Sequence, residues 1–388
     1  MSLTKVRPVG SRVPKPGREC DLGPLEGAGY LFECFDSGTS ALSVAVKCAL
    51  ASFQDVRKPE VLLPAYGCPD LVAAVIAQGC TPRLVDLEGG TPWMDLSALE
   101  ASLSGQTVAI IAVDFLGISE RLEQIREIAS RAGIYLIEDS AQRFPPSTMQ
   151  LKVADFAIVS FGRGKPINLM GGGALLVRDD HQKLSAPVTQ AFPSEKLITG
   201  PVWHIKRVVF NALMHRMIYG VLEKLPFLKL GQTSFNQLGS IYRRRFDKHL
   251  LVAGISMLKR KKGLENSYTH KFAQLEKKGW VLLSRYCAKG ATGAEKAAPL
   301  LRYPLLAPNR QQRDDKLRSL NDAGIGANAF YAVSLPRIPG IKKHIANPYA
   351  SFEAADDFAD RLLTLPCHED VRTSDIDRMQ RVLLNNQA

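Results

Sequence analysis

Between about residues 35 and 180 the chain alternates between short runs of consecutive apolar residues and longer stretches with apolar side chains every third or fourth position. The short runs, at 61–64, 83–86, 108–115, 134–138, 156–159 and 174–177, predict strands. The longer stretches, at 40–53, 70–78, 95–103 and 120–132, predict helices. Several of the strands are apolar without alternation, as expected when helices cover both faces of a sheet. Strand–helix–strand repetition at this spacing predicts an α/β fold, with a mostly parallel central sheet flanked by helices. Ligands of such a sheet gather at the carboxyl ends of its strands.

After residue 200 the pattern changes. Residues 203–230 read as one helix, apolar on one side and carrying Lys206, Arg207, Arg216 and Lys224. Arg243-Arg244-Arg245 follows, and then a second long helical stretch with Lys259-Arg260-Lys261-Lys262. Strands are expected at 301–307 and 330–333 and helices at 313–323 and 374–384, a smaller α+β unit. These shifts predict a loosely held Pro- and Gly-rich arm over 1–24, a large α/β domain over 25–199 and a basic helical segment over 200–290. A small C-terminal domain is expected over 291–388.

Composition narrows the class. With 388 residues, 46% hydrophobic and 23% charged, the chain is an ordinary globular protein rather than a disordered or fibrous one. It holds no run of about 18 uncharged apolar residues of the kind that spans a bilayer. Its seven cysteines are scattered without a Cys-x-x-Cys pair, and its start lacks the apolar core of a signal peptide. Both point to a reducing cytoplasm and away from a disulfide scaffold or a thiolate zinc site. The histidines show no ligand spacing, so no metal is expected.

Charge changes the picture in one place only. Residues 201–290 hold 18 Lys and Arg against 4 Asp and Glu, whereas residues 1–200 hold 19 against 22. Three readings fit such a block: a solvated helical face, a field attracting an anionic substrate, or peripheral membrane contact through 201–262. The mixture of Trp, Phe, Leu and Lys or Arg in 203–230 is that of an interfacial helix.

Three short segments carry candidate chemistry. The strand ending at Ile137 runs into Glu138-Asp139-Ser140-Ala141-Gln142, which sets a carboxylate at a strand's carboxyl end. The strand ending at Val159 runs into Ser160-Phe161-Gly162-Arg163-Gly164-Lys165-Pro166, followed by Gly171-Gly172-Gly173. Lys165 is not a nucleotide P-loop lysine, because Pro166 follows it and the glycine spacing fails. Nor does any Gly-x-Gly-x-x-Gly open the first strand–helix turn. An amine partly withdrawn from water forms an imine with an aldehyde. The third segment, Asp36-Ser37-Gly38-Thr39-Ser40-Ala41-Leu42, opens an apolar helix and reads as an N-cap or as a phosphate cradle. Singly, each has an ordinary structural reading. Together, a phosphate cradle, a strand-end aspartate and an imine-forming lysine meet the needs of pyridoxal 5'-phosphate.

These segments resemble fold-type I pyridoxal phosphate enzymes, in particular the DegT/StrS-type sugar aminotransferases. The likeness extends to Val61-Leu62-Leu63-Pro64-Ala65-Tyr66, to the stretch from Gly79 to Asp86 and to Leu365-Pro366-Cys367-His368, and covers roughly residues 30–385. It implies that Lys165 binds the cofactor aldehyde and shuttles the proton, that Asp139 pairs with the pyridinium and that Gln142 meets the phenolic oxygen. Gly38, Thr39, Ser40 and Ser160 are implied around the phosphate, with Tyr66 or Cys68 against the ring. It further implies a homodimer with shared active sites, an amino-acid donor such as glutamate and a keto-sugar acceptor, often nucleotide-linked, in amino-sugar or polysaccharide biosynthesis. Dehydratases of this fold carry histidine in place of the lysine, so Lys165 argues against them. The sequence departs from the family at Cys68, where an aromatic is usual, at Asp114, where a histidine is usual, and in the shortened lysine loop. The rival reading is a non-catalytic regulatory or binding protein on the same fold. Nucleic acid is not expected, because the basic block is interleaved with apolar helix faces rather than set in a recognition motif.

Overall fold

The computed structural model describes residues 5–21, 29–196, 199–222, 233–259, 264–287 and 298–385. The first half of the chain runs β1 (Tyr30–Phe35), α1 (Gly38–Leu50), β2 (Glu60–Pro64), α2 (Asp70–Ile76), β3 (Thr81–Val85), α3 (Leu96–Ala101), β4 (Thr107–Val113), α4 (Leu122–Ala132), β5 (Tyr135–Asp139), α5 (Thr148–Leu151), β6 (Phe156–Ser160) and β7 (Gly173–Arg178). There follow α6 (Gln182–Gln190), β8 (Ser194–Lys196), α7 (Pro201–Leu213), α8 (Arg216–Leu222), β9 (Arg243–Arg245), α9 (Lys248–Lys259) and α10 (Leu264–Glu276). The described chain closes with β10 (Val281–Leu282), β11 (Arg302–Leu306), α11 (Arg310–Asp322), α12 (Glu353–Arg361), β12 (Leu362–Pro366) and α13 (Thr373–Leu384).

Nine strands form the large sheet in the order β3-β2-β4-β5-β6-β7-β1-β9-β8. From β3 to β6 every pairing is parallel, and β7 is antiparallel to both β6 and β1. The unbroken apolar runs are explained by burial on both faces. Leu63, Ile111 and Ile137 pack in one cluster with α1 residues such as Val44 and Ala45. Their neighbours Leu62, Ile110 and Leu136 pack on the opposite side against Ile125 and Ile128 of α4. The reversal at β7 has a local cause. Parallel strands need a crossover element between them, whereas residues 161–172 contain no helix and fold straight back. That loop carries Lys165.

Strands β10, β11 and β12 form a separate antiparallel sheet. Tyr303, Leu305 and Leu365 of this sheet share the buried cluster of α1 and β4, so the two sheets are joined through one apolar core.

Three expectations are corrected. Residues 330–333 form a bend, not a strand: Phe330 adopts a left-handed φ of 60°, and its N–H donates to the Asn328 side chain. The helix expected over 203–230 is broken after Leu213, and residues 223–230 lie outside the described residues. Its second part is held by Arg216, whose guanidinium pairs with Asp375 and donates to the Asp370 carbonyl, a long-range anchor with no local signal. The arm is not loosely held over its described part. Arg7 is buried and paired with Glu369 and Asp370, and Val6 exchanges backbone hydrogen bonds with Gly324 and Gly326.

Candidate functional site

The carboxyl ends of β4, β5 and β6 meet the first turn of α1 at one rim of the large sheet. Register sets Val113 beside Asp139 and Asp139 beside Ile158, with Ser160 closing β6 two residues further on. α1 starts at this rim because Ser37, in extended conformation, caps it: Ser37 Oγ accepts the Ser40 N–H at 3.0 Å. Glycines allow the close approach. A Cβ at Gly38 would lie 2.7 Å from Ser160 Cβ, and one at Gly173 would lie 2.5 Å from the Gly38 nitrogen.

A cavity of about 250 Å³ opens at this rim, and Gly38, Thr39, Cys68, Asp139, Gln142, Ser160 and Lys165 all line it. Residues far apart in sequence, from the segments that follow β1, β2, β5 and β6, thus converge on one cavity. Two predicted residues do not reach it. Ser40 is fully buried, its hydroxyl accepting from Ser37 Oγ at 2.9 Å. Tyr66 is turned into the core, its hydroxyl donating to the Tyr331 carbonyl at 2.9 Å and its ring packed on Phe115, Tyr331 and Phe358. Of the pair left open by the sequence, Cys68 is therefore the residue at the cavity. Burial, with a smaller push from Asp70, raises its thiol to about 11, so it stays protonated at neutral pH.

Lys165 sits in the β6–β7 loop, which is closed by the Phe161 carbonyl accepting from Leu169 and Gly171 N–H groups. It is half-buried, and among the described residues its ammonium group has no hydrogen-bond or ion-pair partner and is the only cation in the lining. Asp139 is 7% exposed. One of its oxygens accepts the Ala141 N–H at 2.9 Å, and the other has no partner among the described residues. Burial pushes its carboxyl up to about 6, against the pull of the Ala141 N–H and Lys165, while Asp114 and Asp70 add to the rise. A carboxylate held this way gains from a cationic partner in the cavity.

Gln142 is clamped. Its carbonyl oxygen accepts the Leu116 N–H at 3.0 Å, and its amide nitrogen donates to the Tyr331 hydroxyl at 3.3 Å. Leu116 has a left-handed φ of 56°, a conformation that favours glycine and is kept here beside the cavity. Asp114 stands behind the site, fully buried. It accepts the Glu120 N–H at 3.1 Å and the Ser140 hydroxyl at 2.5 Å, and that hydroxyl also lies 2.9 Å from Glu138. One hydroxyl proton cannot serve two carboxylates. Burial and then Asp114 hold Glu138 well above the carboxylate range, against the pull of the Ser147 and Thr148 N–H groups that its two oxygens accept.

Sequence reasoning missed Asp70 in the lining and Tyr331 behind it, and gave no role to Asp36 and Gly162, which line the cavity from within the quoted segments. Asp70 accepts the Thr39 hydroxyl at 2.9 Å, and Asp36 exchanges backbone and side-chain hydrogen bonds with Tyr242. The position of Asp70, one residue after Pro69 at a helix start, was a usable signal; Tyr331 left none. Among the described residues no cluster of three His, Cys, Asp or Glu side chains is arranged to hold a metal.

The chain is similar to known proteins in part of its sequence and in its fold. An aminotransferase acting on UDP-2-acetamido-2-deoxy-3-oxo-D-glucuronate, from Pseudomonas aeruginosa, is 34% identical over 163 residues, 41% of this chain and 44% of that protein. The chain thus aligns with under half the length of this curated relative. The solved PseC of Helicobacter pylori, an aminotransferase involved in the biosynthesis of pseudoaminic acid, superposes with a TM-score of 0.67 at 16% identity, covering 98% of each chain. The solved ntda protein of Bacillus subtilis, with its bound cofactor PMP, superposes with a TM-score of 0.66 at 18% identity, covering 91% of this chain and 72% of that one. With the family model matched over residues 34–279 and 249–383, the chain belongs to the DegT/DnrJ/EryC1/StrS aminotransferase family.

Proposed function

We propose that the chain is a pyridoxal phosphate-dependent aminotransferase that moves an amino group from an amino acid, with glutamate the expected donor, to a nucleotide-linked keto-sugar in amino-sugar biosynthesis. The observation that carries this reading is the convergence of Lys165, Asp139 and the first turn of α1 on one cavity. The cofactor fits what is there: an ammonium group and one oxygen of a buried carboxylate that have no partner among the described residues, and a helix N-terminus brought close by glycines. When bound, pyridoxal phosphate supplies an aldehyde for the amines and a ring that takes up electrons from the reacting carbon.

The chain's own residues do the rest. Lys165 Nζ would hold the cofactor at its aldehyde carbon and, as a free amine, would be placed to carry a proton between that carbon and the substrate carbon. Asp139, kept out of water, holds a proton on the ring nitrogen. Gln142, fixed by Leu116 and Tyr331, presents its amide to the phenolic oxygen without reorganising. Gly38, Thr39 and Ser160 receive the phosphate at the positive end of α1, which offsets the nearby charges of Asp36 and Asp70. Cys68 lines the cavity at the position where the family resemblance implies an aromatic.

The nucleotide-sugar acceptor is supported by the substrate named for the Pseudomonas relative. A cytoplasmic homodimer with shared active sites completes the reading. Mixing the purified chain with pyridoxal phosphate should give an imine absorbance that Lys165→Ala abolishes, with turnover falling about 10⁴-fold. Mass spectrometry after incubation with glutamate and UDP- or dTDP-linked keto-sugars then identifies the acceptor. A wild-type chain without a cofactor spectrum would end the proposal.

A further inference from the structure

Helices α7 and α8 turn an apolar face away from the protein. Val202 is 64% exposed, Ile205 63%, Val208 57% and Val209 50%, and on α8 Met217 is 60% and Val221 56% exposed. At 3.6 residues per turn the four α7 residues fall on one side of the helix. The opposite side is the anchored one: Trp203 is buried, Phe210 packs on the same cluster, and Asn211 exchanges hydrogen bonds with the Val13 backbone. A patch of this kind on a soluble fold marks a contact surface.

Its chemistry selects the contact. No carboxylate occurs between residues 199 and 222, while Lys206 stands exposed at the edge of the apolar face. A second copy docked about a two-fold axis through this face would bring two exposed Lys206 side chains into one interface with no carboxylate of α7 or α8 to pair with them. The apolar side chains are aliphatic, spread over two consecutive helices, and border none of the larger cavities among the described residues. No described helix is long and apolar enough to cross a membrane. We infer that α7 and α8 dock the enzyme on an anionic lipid surface, with the aliphatic face in the acyl boundary and Lys206 at the headgroups. The inference does not depend on which acceptor the enzyme uses, or on catalysis at all.

Flotation of the full-length chain with phosphatidylcholine vesicles, and with vesicles partly replaced by phosphatidylglycerol, tests this. The wild type should float with the anionic vesicles, and added salt should weaken the binding. The double variant Ile205→Asp with Val209→Asp should lose binding about tenfold or more, with unchanged sedimentation velocity and an unchanged cofactor spectrum. Lys206→Glu should remove the preference for anionic vesicles. Failure of the wild type to bind, or equal binding to both vesicles, overturns the inference. So does a shift of the double variant to a smaller species, which would make this face a self-association surface.

Discussion

The cavity rim and the α7–α8 pair are both written in apolar residues at helical or strand spacing, yet the fold treats them oppositely. At the rim, β4, β5 and β6 bury both faces, and glycines bring backbones closer than any other residue would allow. Polar groups there are pinned individually: Gln142 between two partners, Asp139 by one N–H, Asp114 by two donors. On α7, burial falls on a narrow side carrying Trp203, and the wider aliphatic side is left to the surroundings. Periodicity thus reports that a segment has two faces. Which face is covered depends on what packs against it.

The contrast can be broken at its tightest point first. Gly173→Ala puts a methyl group against the Gly38 nitrogen and the Ser37 carbonyl carbon, backbone atoms that cannot rotate away. Destabilisation of about 3 kcal/mol in urea unfolding is expected, together with weakened cofactor binding as α1 is displaced. A tolerated alanine would show that the rim is looser than its spacing implies.

Asp139→Asn sharpens the electrostatic side. In the cofactor-free protein the folded state keeps a proton up to about pH 6, whereas an ordinary aspartate releases it near 3.8. The folded state therefore binds more protons in that window, and wild-type stability falls as pH rises through it. Above the window the ionised carboxylate is a constant penalty, which asparagine removes. The variant should be more stable than the wild type by about 2 to 3 kcal/mol at pH 8, with the gain vanishing below pH 4, while transaminase turnover collapses. Equal pH profiles would place the carboxyl in contact with water.

The smallest effect belongs to the other region. Val208→Ser, on the exposed face of α7, should change stability by less than about 0.5 kcal/mol. A larger loss would mean that the face is covered within the folded protein.

What the sequence determined by itself follows from short-range physics. Apolar runs too continuous for a half-exposed strand announced a sheet covered on both sides, and the residues at their carboxyl ends, Asp139, Ser160 and Lys165, were the cavity residues. Ser37 to Thr39 were readable because capping is a property of four adjacent residues. Only the tertiary structure decided the rest. Tyr66 sits in the same segment as Cys68 but was drawn into the core by Tyr331 and Phe358, residues more than half the chain away. The anchoring of α8 and the fixing of the arm depend on Asp375, Glu369 and Asp370, near the carboxyl end of the described chain. Hydrogen bonds and ion pairs of that span leave no periodicity behind, because their partners are chosen by the folded surface and not by spacing along the chain.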